Sequence, residues 1–401
     1  MSSEQLFNQD IIIVGQQAWD TEIGSNCKNI AVEMAKHHRV LYVNSPLKRK
    51  ALLKKEKDDS TKKRISIIQN KETNIFEVEP NLYTLYPDTI LESVNFLPDN
   101  FIFDVINKIN NKRFAKAIQK AIKALDFKDF VLFNDNDIYD SFYLKDYLKP
   151  KISIYYSRDF MLGTDFWRRH GNRLEPLLIS KSDLAVANSV YLANYCKQYN
   201  EKAFYVGQGC DFELFTNPDL LYHPKDIPSQ KPIIGYVGNL SSLRLDLDII
   251  EHIATGKPEW NIVLVGPMDH DFQQSKLHRI PNVFFLGQKA IKELPGYINS
   301  FDVCINPQKL NKVTIGNYPR KIDEYLALGK PVVATQTEAM ETFSDYVYLA
   351  QDKTEYIQYI NQALNENDIN IKKQRINFAL SHTWENSVIE IYKAINQVIT
   401  S

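Results

Sequence analysis

The residues with the clearest chemical spacing lie in the segment Tyr318–Thr335, which reads YPRKIDEYLALGKPVVAT. Pro319 suits the first turn of a helix, and Gly329 is a typical helix end. Lys321 and Glu324 are three residues apart, so both project from one face near the start of that helix. There a lysine can neutralise a diphosphate, and a carboxylate can accept hydrogen bonds from a ribose diol. An exposed Lys–Glu pair, worth roughly a few tenths of a kcal/mol, is the alternative, and the segment taken alone favours it.

Glycine is scarce in this chain, at 14 of 401 residues, so its positions are informative. Gly238, Gly266 and Gly287 each follow a predicted strand directly. In open α/β sheets the loops at these strand ends form the ligand crevice, and glycine lets a ligand approach the backbone closely. A following helix N-terminus offers free N–H groups to phosphate. Three such glycines on one edge favour a phosphate-bearing ligand over the alternative, which is that tight turns between strand and helix prefer glycine.

A second group of polar residues ends a predicted strand in the first half of the chain, in the segment Ile152–Asp159 (ISIYYSRD). Asp159 is expected at the carboxyl edge of that strand, facing the crevice. A carboxylate shielded in a closing cleft can have its pKa raised toward the work of a general base. Alternatively, Asp159 caps the turn that follows, a common role of aspartate. Asp135 and Asp137, at the end of another strand, are weaker candidates.

Two parallel sheets are needed to position these residues. Short β-branched apolar runs alternate with stretches of helical periodicity, which is typical of parallel sheets covered by helices on both faces. The pattern occurs twice, and 401 residues exceed the size of a single core. The polar segment Thr216–Lys231 contains three prolines and is interpreted as a linker. We therefore predict an α/β protein with doubly wound domains at residues 1–215 and 232–383, joined by a linker at residues 216–231.

The composition disfavours several classes of protein. Lys and Arg number 48 against 49 Asp and Glu, a net charge of −1 that disfavours a nucleic-acid binder. Four scattered cysteines and eight histidines without metal-ligand spacing indicate neither a disulfide framework nor a zinc site, and they suit a reducing cytosol. The start, MSSEQLFNQD, lacks the apolar core of a secretory signal. The sequence contains no run of 18 apolar residues, which a membrane span would require. We expect a cytoplasmic protein without a protein-held metal or cofactor.

Several segments together resemble the GT-B glycosyltransferases that assemble bacterial surface polysaccharides, such as the xanthan glucuronosyltransferase and teichuronic-acid-type transferases. The segment Tyr318–Thr335 resembles the family signature P-x-K-x-x-E-Y-L-A-x-G-K-P-V-V. Further matching segments follow in the family's order: KSDLAVANS at 181–189, GCDFELF at 209–215, IGYVGNL at 234–240, NIVLVGP at 261–267, NVFFLGQ at 282–288 and SFDVCINP at 300–307. The resemblance implies two Rossmann-like domains facing across a cleft that holds the active site. It also implies that the C-terminal helix, within residues 384–401, returns to the first domain.

The resemblance implies that the second domain binds a nucleotide sugar, with UDP as the first choice of nucleotide and GDP as the second. In this interpretation Glu324 holds the ribose hydroxyls, and Arg244 and Lys321 meet the diphosphate. Gln288 lies beside the base. For Arg244 alone, a solvated loop arginine is the alternative. The predicted donor-binding residues are Gly238, Asn239, Arg244, Gly266, Gln288, Gly316, Asn317, Tyr318, Lys321 and Glu324.

One departure from the family pattern concerns the stereochemistry of transfer. The retaining branch carries a second glutamate eight residues before the Glu324 position, where this chain has Gly316. The segment ending at Asp159 instead resembles the Y-x-x-S-D motif of the inverting xanthan glucuronosyltransferase, whose aspartate is the general base. An inverting transfer is therefore favoured over a retaining one, with Asp159 taking the proton of the acceptor hydroxyl.

The acceptor side of the predicted cleft offers further candidates. In this fold the loop Gly15–Ser25 (GQQAWDTEIGS) edges that side. Trp19 can stack on a sugar face or serve only in packing. Asp20 is the alternative catalytic carboxylate. Arg158 can bind the acceptor and stabilise negative charge on the substrate.

Two basic segments indicate that the protein binds to an anionic membrane surface. Lys48–Arg64 has nine basic and three acidic residues, a local net charge of +6, and residues 101–125 form a long helical pattern with six basic residues. Basic residues beside apolar ones suit peripheral attachment to an anionic leaflet. The alternative is a solvated loop followed by an ordinary amphipathic helix packed on its sheet, and for residues 101–125 taken alone it is favoured.

These observations lead to one expected function and several rivals. We expect transfer of a sugar from a nucleotide sugar to a lipid-linked or saccharide acceptor in cell-surface polysaccharide synthesis. A nucleotide-sugar epimerase of the same fold and a non-catalytic subunit of an assembly complex are the alternatives. A nicotinamide dehydrogenase is disfavoured, because no GxGxxG follows any predicted strand.

Overall fold

The computed structural model describes residues 9–21, 24–53 and 55–399, and for Pro218 it describes the backbone alone. These residues form two compact units. The first unit runs to Gly207 and includes the chain from Trp384 onward. Its strands are β1 (Ile11–Val14), β2 (Val40–Val43), β3 (Leu47–Lys48), β4 (Ile75–Glu79), β5 (Leu82–Leu85), β6 (Ile90–Leu91), β7 (Val131–Asp135), β8 (Ile152–Ser157), β9 (Leu184–Ala187) and β10 (Ala203–Tyr205). The helices that accompany them are α1 (Asn26–Ala35), α2 (Arg49–Leu52), α3 (Asp59–Ile68), α4 (Phe101–Ala124), α5 (Leu144–Leu148), α6 (Asp165–Lys181) and α7 (Val190–Lys197).

The main sheet of the first unit has the strand order β10-β9-β8-β7-β1-β2-β5-β4, and β3 pairs separately with β6. Neighbouring strands of the main sheet run parallel, except that β4 is antiparallel to β5 at one edge. The central strands β1, β2, β7 and β8 are buried along their whole length. Continuous Ile, Val and Leu runs suit such strands because both of their faces are covered. The carboxyl ends of β1, β7 and β8 therefore lie side by side, where Asp135 and Asp159 were predicted.

The second unit comprises Gln208–Thr383 and holds one parallel sheet of strand order β13-β12-β11-β14-β15-β16. Its strands are β11 (Ile233–Val237), β12 (Asn261–Val265), β13 (Val283–Gly287), β14 (Val303–Asn306), β15 (Val332–Thr335) and β16 (Tyr348–Ala350). Its helices are α8 (Glu213–Thr216), α9 (Leu247–Gly256), α10 (His270–Gln273), α11 (Leu294–Ser300), α12 (Lys321–Ala327), α13 (Lys353–Leu364) and α14 (Ile369–Leu380). The fold class predicted from the alternation of strands and helices is confirmed in both units.

Helix α12 is tied to the end of strand β11 by a buried tyrosine. Tyr325 is fully buried, and its hydroxyl accepts a hydrogen bond from the Val237 N–H at 2.9 Å and donates one to the Val237 carbonyl at 3.3 Å. Burial raises the pKa of the Tyr325 hydroxyl far above its usual range, so it stays a neutral donor and acceptor. The first turn of α12 is thereby placed beside Gly238, the residue that follows β11.

The division between the units differs from the predicted one. We predicted that the first domain ends at residue 215 and that residues 216–231 form a linker, whereas the division falls after Gly207. Phe212, Phe215 and Ile227 are buried in a core cluster of the second unit. The segment therefore belongs to the second unit because its apolar side chains pack there.

The chain ends in helix α15 (Trp384–Ile399), which belongs to the first unit. Val388, Ile391 and Ile395 are buried in the core cluster that also contains residues of β1 and α1. Their spacing of three and four residues places them on one face of the helix. Among the described helices, none combines the length and apolar character required to cross a bilayer.

Candidate nucleotide-sugar site

Six of the predicted donor-binding residues line one cavity of about 310 Å³ in the second unit. They come from the loop after β11, from the segment before α12 and from the first turn of α12, and they are Gly238, Arg244, Asn317, Tyr318, Lys321 and Glu324. The end of β14 contributes Asn306, and the loop that follows contributes Gln308. With Arg320, which also lines it, the cavity combines three cationic side chains, one carboxylate and three amides, which is the chemistry that a phosphorylated polyol requires.

Two glycines allow the strand ends beside this cavity to approach each other. Gly238 and Gly266 have φ angles of +147° and +145°, a region that residues with a Cβ rarely adopt. A Cβ on Gly266 would lie 1.8 Å from the carbonyl oxygen of Gly238, and a Cβ on Gly238 would lie 2.7 Å from Lys321 Nζ. The lysine therefore occupies the space that a larger residue at position 238 would need.

The Lys321 ammonium is held over an aromatic ring at the end of β11. Its Nζ lies 5.0 Å from the centroid of the Tyr236 ring, within the range of a cation–π interaction. The Tyr236 hydroxyl in turn donates to the Asn239 carbonyl at 3.4 Å. These contacts place the Lys321 ammonium at the strand end, beside the backbone of Gly238.

Glu324 lies one turn further along α12, with its side chain only 18% exposed. Burial raises the pKa of the Glu324 carboxyl above its usual range, and the charges of Arg320 and Lys321 oppose this shift only in part. Arg320 Nε lies 3.5 Å from Glu324 Oε1. Sequence reasoning missed Arg320, although its spacing of four residues from Glu324 is a recognisable signal.

A hydrogen-bonded group behind the cavity positions Tyr318. The Tyr318 hydroxyl lies 3.1 Å from His382 Nδ1, and the same nitrogen lies 2.7 Å from Asp323 Oδ1. Asp323 is fully buried, and its other oxygen accepts a hydrogen bond from Cys210 Sγ at 3.4 Å. Sequence reasoning missed His382 and Asp323 because they are 59 residues apart and share no motif.

The loop between β14 and α12 leaves polar atoms available in the cavity. Gln308 Nε2 donates to the Thr314 carbonyl at 2.8 Å, which fixes the loop. The Tyr356 hydroxyl donates to the Asn306 carbonyl at 2.9 Å. Within the described part of the chain, Asn306 Nδ2 and Asn317 Oδ1 are buried without a hydrogen-bond partner. Buried polar groups in proteins are usually satisfied, so a donor and an acceptor left unpaired here favour a polar ligand group.

Four of the predicted donor-binding residues are not among the described residues that line the cavity: Asn239, Gly266, Gln288 and Gly316. Gly266 nevertheless packs against the Gly238 carbonyl, and Asn239 follows Gly238 in the same loop. Gln288 follows strand β13, two strands from β11. Whether these residues touch a nucleotide stays a prediction.

In the first unit, Arg158 bridges two carboxylates at the carboxyl ends of β7 and β8. Its Nε donates to Asp135 Oδ1 at 2.7 Å, and its Nη1 donates to Asp159 Oδ2 at 2.8 Å. Asp135 is fully buried, whereas the Asp159 side chain is 40% exposed. The Asn136 side chain accepts from the Arg158 and Asp159 N–H groups at 3.0 and 3.3 Å, which fixes the backbone there. Asp159 is thus an oriented and accessible carboxylate, with one oxygen on Arg158.

Asp20 and Trp19 are held by neighbouring side chains of the first unit. Arg64 of α3 donates from Nη1 to Asp20 Oδ2 and from Nη2 to Asp20 Oδ1, both at 3.1 Å. The ring of Trp19 meets that of Tyr42 edge-on, with centroids 5.1 Å apart, and packs against the core. These contacts favour the packing alternative for Trp19 and a structural ion pair for Asp20.

Across the part of the chain that the structure describes, no three His, Cys, Asp or Glu side chains form a group that could hold a metal ion. Metal independence stays a prediction.

Comparison with known proteins adds sequence relatives. Residues 231–366 match the family model described as glycosyl transferases group 1. TuaH of Bacillus subtilis (strain 168), by its name a teichuronic acid biosynthesis glycosyltransferase, is 29% identical over 235 residues. The match covers 56% of this chain and 59% of that protein, so it spans less than two thirds of the relative's length.

Solved structures share the fold over the whole chain. Sucrose-phosphate synthase from Thermosynechococcus elongatus superposes with a TM-score of 0.64 at 14% identity, covering 98% of this chain and 99% of that one. HepE of Anabaena in complex with UDP superposes with a TM-score of 0.65 at 17% identity, covering 98% and 100%. At these identities the likeness shows the fold alone.

The close approach of the two strand ends can be tested with Gly266→Ala. Because the added Cβ would meet the backbone oxygen of Gly238, we expect the second unit to lose about 1–3 kcal/mol of unfolding free energy. Calorimetry and urea denaturation measure this loss. Gly24→Ala is the matched control, since a Cβ there meets nothing within 4 Å, and it should change stability by less than about 0.5 kcal/mol. Equal stability of the two variants would contradict the packing described above.

Proposed function

This chain has the GT-B fold and a group 1 glycosyl transferase segment, and we propose that it transfers a sugar from a nucleotide sugar to an acceptor. The observation that carries the proposal is the cavity of the second unit, which gathers Arg244, Lys321 and Glu324 beside Gly238. The three charged side chains match the two parts that UDP- and GDP-sugars share, which are a diphosphate and a ribose.

In the proposed donor complex, Lys321 and Arg244 meet the diphosphate. Their charges stabilise the nucleoside diphosphate as the bond from the anomeric carbon to its phosphate oxygen breaks, an electrostatic contribution that grows as charge develops. Glu324 accepts hydrogen bonds from the ribose hydroxyls. UDP is the first choice of nucleotide because HepE, which shares the fold, has been solved with UDP and with UDP-glucose, and GDP is the second choice.

For the chemical step we propose inversion, with Asp159 as the general base. The acceptor oxygen attacks the anomeric carbon from the side opposite the phosphate, its proton passes to the Asp159 carboxylate, and the nucleoside diphosphate leaves. Two features support this role: the Asp159 side chain is 40% exposed, and Arg158 orients it by donating to one of its oxygens. Gly316, where a retaining relative carries glutamate, agrees with inversion.

The acceptor is proposed to be a lipid-linked or saccharide intermediate of a cell-surface polysaccharide. TuaH, whose name places it in teichuronic acid biosynthesis, supports this class. An epimerase of the same fold would convert the donor sugar without any acceptor, and a non-catalytic subunit would bind the donor without turnover. Release of free nucleotide that depends on an acceptor lipid separates the proposed transferase from both.

Glu324→Ala should remove the recognition of the ribose. Wild-type protein should bind UDP at least about tenfold more tightly than 2′,3′-dideoxyuridine diphosphate, because hydrogen bonds to an ionised carboxylate are strong. The variant should bind the two nucleotides within about twofold of each other. Since the pKa of Glu324 is raised, the wild-type preference should grow as pH rises through that pKa and the carboxylate forms.

Isothermal titration calorimetry measures both affinities over a pH series. Glu341→Gln, an exposed glutamate of the second unit, is the control and should keep the wild-type preference. A Glu324→Ala protein that still prefers UDP to the dideoxy nucleotide would remove Glu324 from the ribose site.

Asp159→Asn should lower turnover by about 10²-fold or more, because the amide cannot take the acceptor proton. The affinity for UDP should stay within about twofold of wild type, since Asp159 belongs to the unit that does not hold the donor cavity. Acceptor-dependent release of nucleotide measures the rate, and the anomeric coupling constant of the product by NMR reports the stereochemistry.

Asp129→Asn, an exposed aspartate of the first unit with a φ of +44° that asparagine also tolerates, is the matched control. It should retain full turnover. A product that keeps the donor's anomeric configuration, or an Asp159→Asn enzyme of normal rate, would contradict the proposed base.

A further inference from the structure

Large apolar side chains are exposed together on several elements of the first unit. Their exposed fractions run from 43% to 80%, and all the phenylalanines with highly exposed side chains in the described part of the chain are among them. We call this set the apolar face, and its members are Leu53, Phe96, Phe101, Ile102, Val105, Ile109 and Phe166. Contiguous apolar surface of this kind on a protein marks an interaction site.

The elements that carry the apolar face contact one another. Phe96 and Phe166 line one groove of about 710 Å³ together with Lys50 and Ala51 of α2. Arg169 of α6 lines the same groove and donates from Nη1 to the Asn95 carbonyl at 3.1 Å. Its walls are therefore α2, the loop that precedes α4, and the first turns of α6.

Helix α4 joins this groove through a shared ion pair. Arg49 of α2 and Arg113 of α4 both bind Glu92, at 2.7 and 3.1 Å. Asn110 of α4 accepts from the Glu92 N–H and donates to the Glu92 carbonyl, both at 2.9 Å. Glu92 therefore links α2 to the middle of α4, and Arg173 of α6 binds Asp104 in the first turn of α4 at 2.7 Å.

The exposed side of α4 has a polarity that changes along the helix. Ile102, Val105 and Ile109 follow one another at three and four residues, and the same spacing continues with Lys112 and Lys116. The opposite side of α4 is buried in the core of the unit. The helix therefore already has its packing partner, and its outer stripe, apolar first and then basic, is an additional surface.

Among the described residues, the basic residues around the apolar face include several without an ion-pair partner, whereas its acidic residues are paired. Its acidic neighbours are paired: Glu92 with two arginines, Asp99 and Asp104 with Arg173, Asp165 with Arg168, and Asp88 with Lys120. By contrast, Lys50, Lys112 and Lys116 have no ion-pair partner among the described residues. On α4, on the loop before it and on the first turn of α6, the unpaired charges are thus cationic.

We propose that the apolar face binds an anionic lipid bilayer, with its phenylalanines and aliphatic side chains at the acyl boundary and its lysines at the headgroups. Exposed apolar side chains flanked by lysines suit a lipid interface, whereas lysine is depleted at interfaces between proteins. The inference rests on the proposed function in one respect: the lipid-linked acceptor proposed above is located in a membrane.

This placement differs from the one expected from the basic run Lys48–Arg64. Four of the basic residues in that run form ion pairs: Lys48 with Asp140, Arg49 with Glu92, Lys62 with Asp59 and Arg64 with Asp20. Lys54, which belongs to the run, lies outside the described residues. Four of the nine basic charges of the run are therefore paired within the described part of the chain, and the unpaired lysines of the apolar face come from α2, with Lys50, and from α4.

The test is co-flotation of the full chain with vesicles of phosphatidylcholine alone and with 30% phosphatidylglycerol, at low and high salt. Wild-type protein should bind the anionic vesicles and lose binding as salt rises. Phe96→Ser combined with Phe166→Ser, and separately Val105→Asn combined with Ile109→Asn, should each lower the bound fraction about tenfold. Lys112→Glu combined with Lys116→Glu should lower it by about tenfold or more and weaken its salt dependence.

Ile291→Asn combined with Ile369→Asn is the matched control, because both side chains are about 70% exposed and lie in the second unit. This control should float like wild type. Absence of vesicle binding by wild type, or unchanged binding by the three face variants, would overturn the proposal. A wild-type dimer in sedimentation velocity that the face variants dissociate would also overturn it, by assigning the face to a second copy.

UDP affinity, measured on the same samples, keeps this proposal apart from the proposed function. The face variants should bind UDP as wild type does, since their residues lie in the unit without the donor cavity. Wild-type protein that binds vesicles but not UDP would contradict the proposed donor site while supporting the lipid-binding face.

Discussion

The candidate donor site depends on how closely the first turn of α12 is held against the end of strand β11. Tyr325 binds both polar groups of the Val237 backbone, so the helix cannot shift without leaving buried donors and acceptors unpaired. Lys321 then fills the space that glycine leaves at position 238, and the Gly266 loop packs on the same backbone. A cation and a carboxylate one turn apart are thereby fixed at the carboxyl edge of a parallel sheet, where such sheets bind ligands.

The pattern of strands, helices and strand-end glycines was predictable, because continuous apolar runs and positive φ angles leave clear traces in a sequence. The spacing of Lys321 and Glu324 places both on one helix face, but their role at a ligand site was inferred from the family resemblance, since the segment taken alone favours an exposed pair. The domain boundary was not, since the polar and proline-rich segment after residue 208 also carries Phe212, Phe215 and Ile227, and their burial decides its unit. Local composition indicates a linker there, but long-range packing overrides it.

Contacts between distant parts of the chain account for the rest of what sequence reasoning missed. His382 meets Asp323 and Tyr318 only because α14 ends beside α12, and no motif connects them. Arg158 was expected to face substrate, yet the structure gives it two carboxylate partners, and these raise the pKa of its guanidinium although burial opposes them. Likewise, the composition of the run Lys48–Arg64 indicates unpaired basic residues, but Lys48, Arg49 and Arg64 form ion pairs with carboxylates elsewhere in the chain.

A crystal structure with UDP tests the central claim most directly. The account predicts that the diphosphate lies within about 3 Å of Lys321 Nζ, close to the backbone of Gly238, with both ribose hydroxyls on the Glu324 carboxylate. Arg244 should close over the same phosphates. Density for the nucleotide in any other cavity, with Lys321 and Glu324 left uncontacted, would contradict the account.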